Sequence, residues 1–240
     1  MIKTVFFDFY NTLASYYPPR EDVYISTCRE LGIGVQAKAL FTSLAVADIF
    51  YRNENSRSPI DNKTAEKKIN FYIEYITRIL SGAGAEIGRD AALQILAKIR
   101  EYKWEFKVYD DTLPTLETLK NRGLILGLIS NVAQDMEPTY TKLGLQPYLN
   151  FKVTSAEVGY DKPRPEIFLA ALEKAKVKAG EALYVGDQYQ IDIVGARGVG
   201  IKALLIDRNN YFPEITDCPR IRSLTKSPNM SSLIVGPYLA

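Results

Sequence analysis

The 240-residue chain contains no histidine, and this absence excludes several common kinds of active site. Ser-His-Asp and Cys-His catalysis, histidine-ligated zinc and proton transfer through imidazole all depend on that side chain. Cysteine is scarce too, since Cys28 and Cys218 stand alone, far apart, and fit neither a disulfide framework nor a metal site. We therefore expect reduced thiols in a cytoplasmic protein, with chemistry carried by carboxylates, lysine, hydroxyls or a hard metal ion.

The chain also lacks an excess of charge of one sign and any long apolar run. Its 30 basic and 28 acidic residues are spread along the sequence and give a net charge of +2, whereas nucleic-acid binding relies on a concentrated basic face. No stretch approaches the roughly 20 apolar residues that span a bilayer, and the first residues show no secretory leader. We expect neither a nucleic-acid partner nor a membrane partner.

The start of the sequence holds an apolar strand that ends in a carboxylate. Val5, Phe6 and Phe7 form the continuous apolar run that is typical of a parallel strand buried on both faces, and Asp8 follows directly. We predict a first strand over about residues 2–8. Ligands of open α/β sheets bind beyond the carboxyl ends of such strands, so Asp8 lies where a functional group is expected.

Two periodicities divide the rest of the chain. Helical spacing from about residue 22 to 107, broken by glycine and proline, predicts helices near residues 23–31, 39–50, 64–80 and 91–104. Strands and helices then alternate, with strands predicted at 124–129, 151–155, 182–185 and 203–206, and helices at 112–122, up to Gly144, at 166–175 and from 191. This order predicts an α/β fold, a parallel sheet with helical crossovers, interrupted by an all-helical insertion.

Polar clusters follow the predicted strands or lie in the loops between strand and helix. They are Asp8 with Thr12, Ser130 with Asn131, Lys162, and Asp187 with Asp192. Any one of these residue types alone is common in turns and helix caps. Because parallel strands bring their carboxyl ends to one edge of a sheet, we predict that the clusters converge there.

The order of these clusters resembles the four motifs of the haloacid dehalogenase-like (HAD) hydrolase superfamily. The matching residues are Asp8-x-x-x-Thr12-Leu13, Ser130-Asn131 after an apolar strand, Lys162-Pro163-x-Pro165, and Gly186-Asp187-x-x-x-x-Asp192. The resemblance implies a Rossmann-like core of residues 1–14 and 108–240, with a helical cap of residues 15–107. It also implies a small anionic substrate and a monomer or homodimer.

The resemblance further implies a hydrolase in which Asp8 attacks the substrate and forms a covalent aspartyl intermediate that water then hydrolyses. Such a nucleophile divides one difficult displacement into two easier ones and needs no deprotonation at neutral pH. Thr12, Ser130 and the backbone around Asn131 would hold an anionic group of the substrate. Lys162 would orient Asp8 and offset the negative charge that develops during reaction.

Mg²⁺ is the cofactor that the resemblance implies. Its ligands would be Asp8, Asp187 and the backbone carbonyl of Tyr10, with Asp192 as an alternate or indirect ligand and several waters completing the shell. Carboxylates gathered this closely repel one another unless a cation offsets their charge. The residues themselves therefore favour a metal.

Tyr10 occupies a position at which two branches of the superfamily carry different residues. Its phosphatases carry an aspartate there that protonates the leaving group, whereas its L-2-haloacid dehalogenases carry a tyrosine, because halide leaves without a proton. Those dehalogenases work without metal and usually replace the Gly-Asp pair that this chain retains as Gly186-Asp187. We favour an Mg²⁺-dependent phosphatase of specialised activity on a small phosphorylated metabolite, with a dehalogenase and a non-catalytic anion-binding protein as alternatives.

Candidate substrate contacts in the helical cap are Tyr16, Tyr17, Arg20 and Arg52, since the dehalogenases use a cap arginine for the substrate carboxylate. Aromatic and arginine side chains serve packing and surface more often than ligand binding. We expect the packing and surface roles here.

Overall fold

The computed structural model describes residues 1–132 and 136–225, and the chain forms two compact units. One unit is Met1–Ser15 together with the chain from Phe106 onward, and the other is Tyr16–Glu105. The strands are β1 (Thr4–Phe7), β2 (Ala14–Tyr17), β3 (Glu105–Val108), β4 (Ile125–Ser130), β5 (Phe151–Thr154), β6 (Ala182–Gly186), β7 (Lys202–Ile206) and β8 (Arg220–Ile221). The helices are α1 (Arg20–Glu30), α2 (Ala37–Arg57), α3 (Ala65–Gly82), α4 (Arg89–Arg100), α5 (Thr112–Asn121), α6 (Glu137–Lys142), α7 (Ser155–Val158), α8 (Pro165–Ala175) and α9 (Val194–Gly198).

The first unit is built on a six-stranded parallel sheet in the order β5-β4-β1-β6-β7-β8. The first strand of the sequence lies inside the sheet, and the chain reaches its neighbours through helical crossovers. This arrangement confirms the predicted α/β fold with a parallel sheet. It also places the carboxyl ends of β4, β1 and β6 side by side.

Side chains of β1 alternate between two hydrophobic cores. Val5 and Phe7 pack in a cluster with Leu116 of α5, whereas Phe6 packs in a second cluster with Phe168 of α8. Successive side chains of a strand point to opposite faces, so the two cores lie on the two sides of the sheet. Burying a phenylalanine side chain contributes about 1.5–3 kcal/mol relative to leaving it exposed. Burial on both faces therefore holds the strand that carries Asp8 in place.

The second unit consists of α1 to α4 around a hydrophobic core of its own. Leu40, Ile76, Ile79 and Ile95 are among its fully buried side chains. The apolar residues of α3 recur on one face, and the Thr64 hydroxyl caps its first turn by accepting a hydrogen bond from the Lys67 backbone N–H. None of the helices within residues 1–132 and 136–225 has the length and apolar character needed to cross a membrane.

The structure differs from the sequence prediction in short elements. β2 and β3 pair as a separate two-stranded sheet, and β8 lies in the segment after Tyr211, where no element is predicted. The helix predicted from about residue 191 begins as a π-helical turn, Tyr189–Ile193, before continuing as α9. Strands of two to four residues are too short to show a period. Residues 133–135, which the prediction placed before the helix end at Gly144, lie outside the described ranges.

Candidate active site

Three central strands end at the candidate site. Phe7 is in register with Leu128 of β4 and Val185 of β6, so Asp8 lies one residue beyond paired strand ends. The backbone N–H of Asp8 donates a hydrogen bond to the carbonyl of Val185 at 2.9 Å, which extends the pairing with β6 and holds Asp8 at the end of the sheet. Ser130 is the last residue of β4. Asp187 directly follows β6.

The ammonium group of Lys162 is the hub of the site. Its Nζ donates hydrogen bonds to Asp8 Oδ1 at 2.6 Å, to Asp192 Oδ1 at 2.7 Å and to the Tyr184 hydroxyl at 2.8 Å. Lys162 is only 4% exposed. A lysine ammonium has three protons, so these contacts use all of them. The side chain is held in one direction and presents its positive charge to two carboxylates.

Asn131 fixes the backbone of Lys162 by a reciprocal pair of hydrogen bonds. The Lys162 backbone N–H donates to Asn131 Oδ1 at 2.7 Å, and Asn131 Nδ2 donates to the Lys162 carbonyl at 3.0 Å. The structure thus gives the Asn131 side chain a positioning role, whereas the resemblance pointed to the backbone around it. The loop after β4 and the loop that carries Lys162 are joined through this pair.

The loop after β6 is shaped by the close approach of Asp192 to Gly186. A Cβ atom on Gly186 would lie 2.5 Å from both Cγ and Oδ2 of Asp192, so only glycine leaves room for the carboxylate. Asp192 Oδ2 accepts a hydrogen bond from the backbone N–H of Gln188 at 3.0 Å, and its Oδ1 accepts from Lys162 and Tyr184. Gln188 Nε2 donates to Asp187 Oδ2 at 3.0 Å. The π-helical turn brings Asp192 back to the strand end.

Burial and mutual repulsion dominate the electrostatics of the carboxylates. Burial raises the pKa of Asp8 to about 6, with Lys162 opposing this rise and Asp192 adding to it. Burial raises the pKa of Asp187 well above its ordinary value, and the nearby Asp8 and Asp192 carboxylates add to the effect. Burial alone would lower the pKa of Lys162, but the charges of Asp192 and Asp8 outweigh it, and the pKa is raised.

A divalent cation fits the charge of this cluster. Asp8, Asp187 and Asp192 are all buried, and each offers a carboxylate oxygen within 4.8 Å of the others. Among their contacts in the described part of the chain, Lys162 supplies a single positive charge, so two negative charges are left over when all three acids are ionised. Oxygen ligands at a hard, buried site suit Mg²⁺. The donor set therefore agrees with the implied cofactor.

Comparison with known proteins identifies the family. The model of the haloacid dehalogenase-like hydrolase family matches residues 2–200. The chain belongs to this family. The resemblance drawn from the four motifs is thereby confirmed, and the protein is a hydrolase.

Individual relatives within the HAD-like hydrolases carry phosphatase names as well as the family name. Haloacid dehalogenase-like hydrolase domain-containing protein 3 of Homo sapiens is 28% identical over 210 residues, which cover 85% of this chain and 82% of that protein. Ribulose-1,5-bisphosphate 5-phosphatase of Halopiger xanaduensis is 27% identical over 211 residues, 86% of this chain and 85% of that one. The crystal structure of a HAD phosphatase from Thermococcus onnurineus aligns over 100% of both chains, with 25% identity and a TM-score of 0.55.

The remaining motif residues of this HAD-like hydrolase lie near the same strand end but make different contacts. Thr12 is fully buried, and among the described residues its Oγ1 has no hydrogen-bond partner, while its carbonyl accepts from Arg208 at 2.7 Å. Ser130 is 4% exposed. The ring of Tyr10 is half-buried and meets the edge of Phe106, with centroids 6.5 Å apart.

Two residues of the site, Tyr184 and Gln188, were not predicted from the sequence. Tyr184 stands within the apolar run of β6, where a tyrosine is indistinguishable from a core residue, and Gln188 follows Asp187 as an ordinary loop residue. Contacts such as these depend on packing in three dimensions. Only the proximity of Tyr184 to the Gly186-Asp187 pair could have drawn attention to it.

In the helical unit of this HAD-like hydrolase, Arg20 takes part in a polar cluster. Its guanidinium donates to both carboxylate oxygens of Asp48, at 2.8 and 3.1 Å, and to the Tyr75 hydroxyl at 2.6 Å. Tyr16 packs edge-on against Trp104 with centroids 5.6 Å apart. These contacts agree with the expected packing role, and Tyr17 is 55% exposed. The side chain of Arg52 lies outside the described residues.

Proposed function

We propose that this HAD-like hydrolase is an Mg²⁺-dependent phosphatase that uses Asp8 as nucleophile on a small phosphorylated metabolite. The observation that carries the proposal is the cluster of three buried carboxylates, Asp8, Asp187 and Asp192, around the ammonium of Lys162. When all three acids are ionised, the cluster has a net charge of −2, which one divalent cation would balance. A buried charge of this size is costly without a counter-ion. A bound metal ion that takes part in the reaction would offset the repulsion among these carboxylates.

Hydrolysis would proceed in two displacements at phosphorus. An oxygen of Asp8 bonds to the phosphorus, the bond to the leaving oxygen breaks, and the released alkoxide or phenoxide takes up a proton. Water then attacks the phosphorus of the aspartyl phosphate, which releases inorganic phosphate and restores the Asp8 carboxylate. The 2.6 Å contact with Lys162 keeps that carboxylate oriented for attack.

The charge that builds up on the transferring group would be met by groups already in place. Lys162 is protonated and buried, so its charge acts in a medium of low dielectric. Ser130, Thr12 and the backbone around Asn131 would bind the phosphoryl oxygens. Asp8, Asp187 and the backbone carbonyl of Tyr10 would hold the Mg²⁺, with Asp192 beside them. When bound, the ion would neutralise charge on the phosphoryl group.

Tyr10 limits which esters such an enzyme hydrolyses well. A phenol with an ordinary pKa near 10 is a poor general base at neutral pH. Positioned acid–base catalysis is worth roughly 10²- to 10⁴-fold, so esters whose alcohol needs a proton to leave should react slowly. Substrates with a stable anionic leaving group need little such help. We infer a specialised rather than a broad phosphatase.

The names of relatives support a small phosphorylated substrate, since one is a ribulose-1,5-bisphosphate 5-phosphatase. The helical unit, Tyr16–Glu105, would act as a cap that selects the substrate. We further propose that the protein is cytoplasmic and acts as a monomer or homodimer.

Tyr10 also favours a second candidate, an L-2-haloacid dehalogenase. One activity screen, with a phosphate ester and a 2-haloacid as substrates, distinguishes the two candidates. Phosphate release from p-nitrophenyl phosphate that needs Mg²⁺ and disappears in Asp8→Asn supports the phosphatase. Chloride release from L-2-chloropropionate in EDTA would overturn it. Neither activity, together with thermal stabilisation by phosphate plus Mg²⁺, would favour a non-catalytic anion-binding protein.

A further inference from the structure

Tyr184 places a fully buried hydroxyl inside the candidate active site. The hydroxyl accepts a hydrogen bond from Lys162 Nζ at 2.8 Å and donates one to Asp192 Oδ1 at 2.9 Å. Lys162 Nζ also contacts Asp192 Oδ1, at 2.7 Å. The three groups therefore close a ring of hydrogen bonds in a site where Tyr184 is 0% exposed.

This ring decides which way the ammonium of Lys162 points. With one proton directed to Tyr184 and one to Asp192, the third is directed to Asp8. Removing the hydroxyl would leave one buried N–H without its acceptor, and such a group costs free energy unless it turns toward another partner. A turn of the ammonium would lengthen its contact with Asp8.

The aromatic ring of Tyr184 has separate contacts of its own. It packs edge-on against Phe168 with centroids 5.4 Å apart, and Lys162 Nζ lies 5.6 Å from its centroid. A phenylalanine in its place keeps this packing. The contribution of the hydroxyl can therefore be measured separately from that of the ring.

We propose that Tyr184 is a positioning residue, which holds the Lys162 ammonium against Asp8 and ties Asp192 to it. The inference rests on the proposed function of Asp8 as nucleophile. It adds to the four motifs a residue within β6 that acts through Lys162. Tyr184 would therefore affect the rate of the chemical step rather than the binding of substrate.

The test compares Tyr184→Phe with wild type, and with Tyr140→Phe as a control that also removes the hydroxyl of a buried tyrosine in the same unit. The first readout is turnover of p-nitrophenyl phosphate with Mg²⁺. We expect Tyr184→Phe to lower kcat by about tenfold with KM within about twofold, because a lost hydrogen bond to a charged group weakens the transition state. Tyr140→Phe should keep the wild-type kcat.

The second readout needs no activity. In protein labelled with ¹⁵N-lysine, the Lys162 ammonium should give a slowly exchanging ¹H–¹⁵N signal, assigned by its loss in Lys162→Arg. We expect Tyr184→Phe to broaden or remove this signal and Tyr140→Phe to leave it unchanged.

Several results would overturn the inference. They are an unchanged ammonium signal in Tyr184→Phe, a wild-type kcat in that variant, or a rise of KM alone. A wild-type protein without phosphatase activity would contradict the proposed function instead, and the ammonium signal would still decide whether Tyr184 positions Lys162.

Discussion

At the scale of single residues, the site depends on a few buried charges with fixed partners. Lys162 is held through its backbone by Asn131 and through its ammonium by Asp8, Asp192 and Tyr184. The sequence predicted the charged members of this group, because carboxylates and a lysine after apolar strands stand out. It could not predict the partner of each, since the same residues also serve as caps and turns.

Tyr10 is the residue that should limit hydrolysis of alkyl phosphates. Tyr10→Asp would supply a carboxyl group able to protonate the leaving alkoxide, so we expect turnover of glycerol phosphate to rise by about 10²-fold. Turnover of p-nitrophenyl phosphate should change much less, because nitrophenolate leaves without a proton. Steady-state kinetics measure the ratio of turnover on glycerol phosphate to turnover on p-nitrophenyl phosphate in wild type and variant. Tyr10→Asn is the matched control, and an equal gain in both variants would contradict the acid–base account.

Asp187 should have opposite effects on stability with and without metal. Asp8 and Asp192 lie near it in a buried cluster, and their repulsion contributes to the raised pKa of Asp187. In EDTA, we expect Asp187→Asn to raise the Tm or leave it unchanged. With Mg²⁺, wild type should gain Tm by binding the ion, and the variant should gain little. Equal Mg²⁺-induced shifts in thermal melts of the two proteins would remove Asp187 from the metal site.

At the scale of secondary-structure elements, the site residues lie at the ends of strands, and Gly186 allows the close approach of Asp192. The long apolar strands and the alternation after residue 112 were predictable, because their periods extend over several residues. The π-helical turn after Gln188 was not, since it inserts a wider turn into an otherwise helical pattern. That turn brings Asp192 against Gly186.

Gly186 should therefore tolerate no side chain. Gly186→Ala would place a Cβ atom 2.5 Å from Asp192 Cγ, and the carboxylate would have to leave its contacts with Lys162 and Tyr184. We expect a loss of phosphatase kcat of at least about tenfold and of about 1–3 kcal/mol in stability. Urea unfolding and steady-state kinetics measure both. Gly180→Ala is the control, because its Cβ would meet no atom of the described residues within 4 Å, and similar losses in both variants would contradict the steric account.

At the scale of the whole molecule, segments distant in sequence are joined by the carboxylate of Asp111. It accepts hydrogen bonds from the guanidinium of Arg208 at 2.9 and 3.0 Å, from the Ser223 hydroxyl at 2.7 Å and from the Leu224 backbone N–H at 2.8 Å. Arg208 also donates to the carbonyl of Thr12. No periodicity in the sequence connects these positions, so only the folded structure shows them together.

The Asp111 contacts should make stability depend on pH. Burial alone would raise the pKa of Asp111, but hydrogen bonds from Arg208, Ser223 and Leu224 and the charge of Arg208 outweigh it, and the pKa is lowered. Because the folded-state pKa lies below the unfolded value, this carboxylate stabilises the fold at neutral pH, and the contribution is lost as pH falls through the folded-state pKa.

We expect Asp111→Asn to cost about 2 kcal/mol at pH 7, since it weakens hydrogen bonds between charged groups. The difference from wild type should shrink below about pH 4, where the unfolded carboxyl group becomes protonated. Urea unfolding at a series of pH values measures it. The exposed neighbour provides the control, as Asp110→Asn should match wild type. A difference that stays constant down to pH 3 would contradict the linkage.

The central claim, that Asp8 is the nucleophile of a phosphatase, is tested most directly by trapping the phosphorylated enzyme. Wild-type protein with Mg²⁺ is mixed with ³²P-labelled acetyl phosphate, quenched with acid within milliseconds, and digested. We predict that the peptide containing Asp8 carries label that hydroxylamine removes, and that Asp8→Asn carries none. Phosphate release without labelled protein, or label that persists in Asp8→Asn, would contradict it.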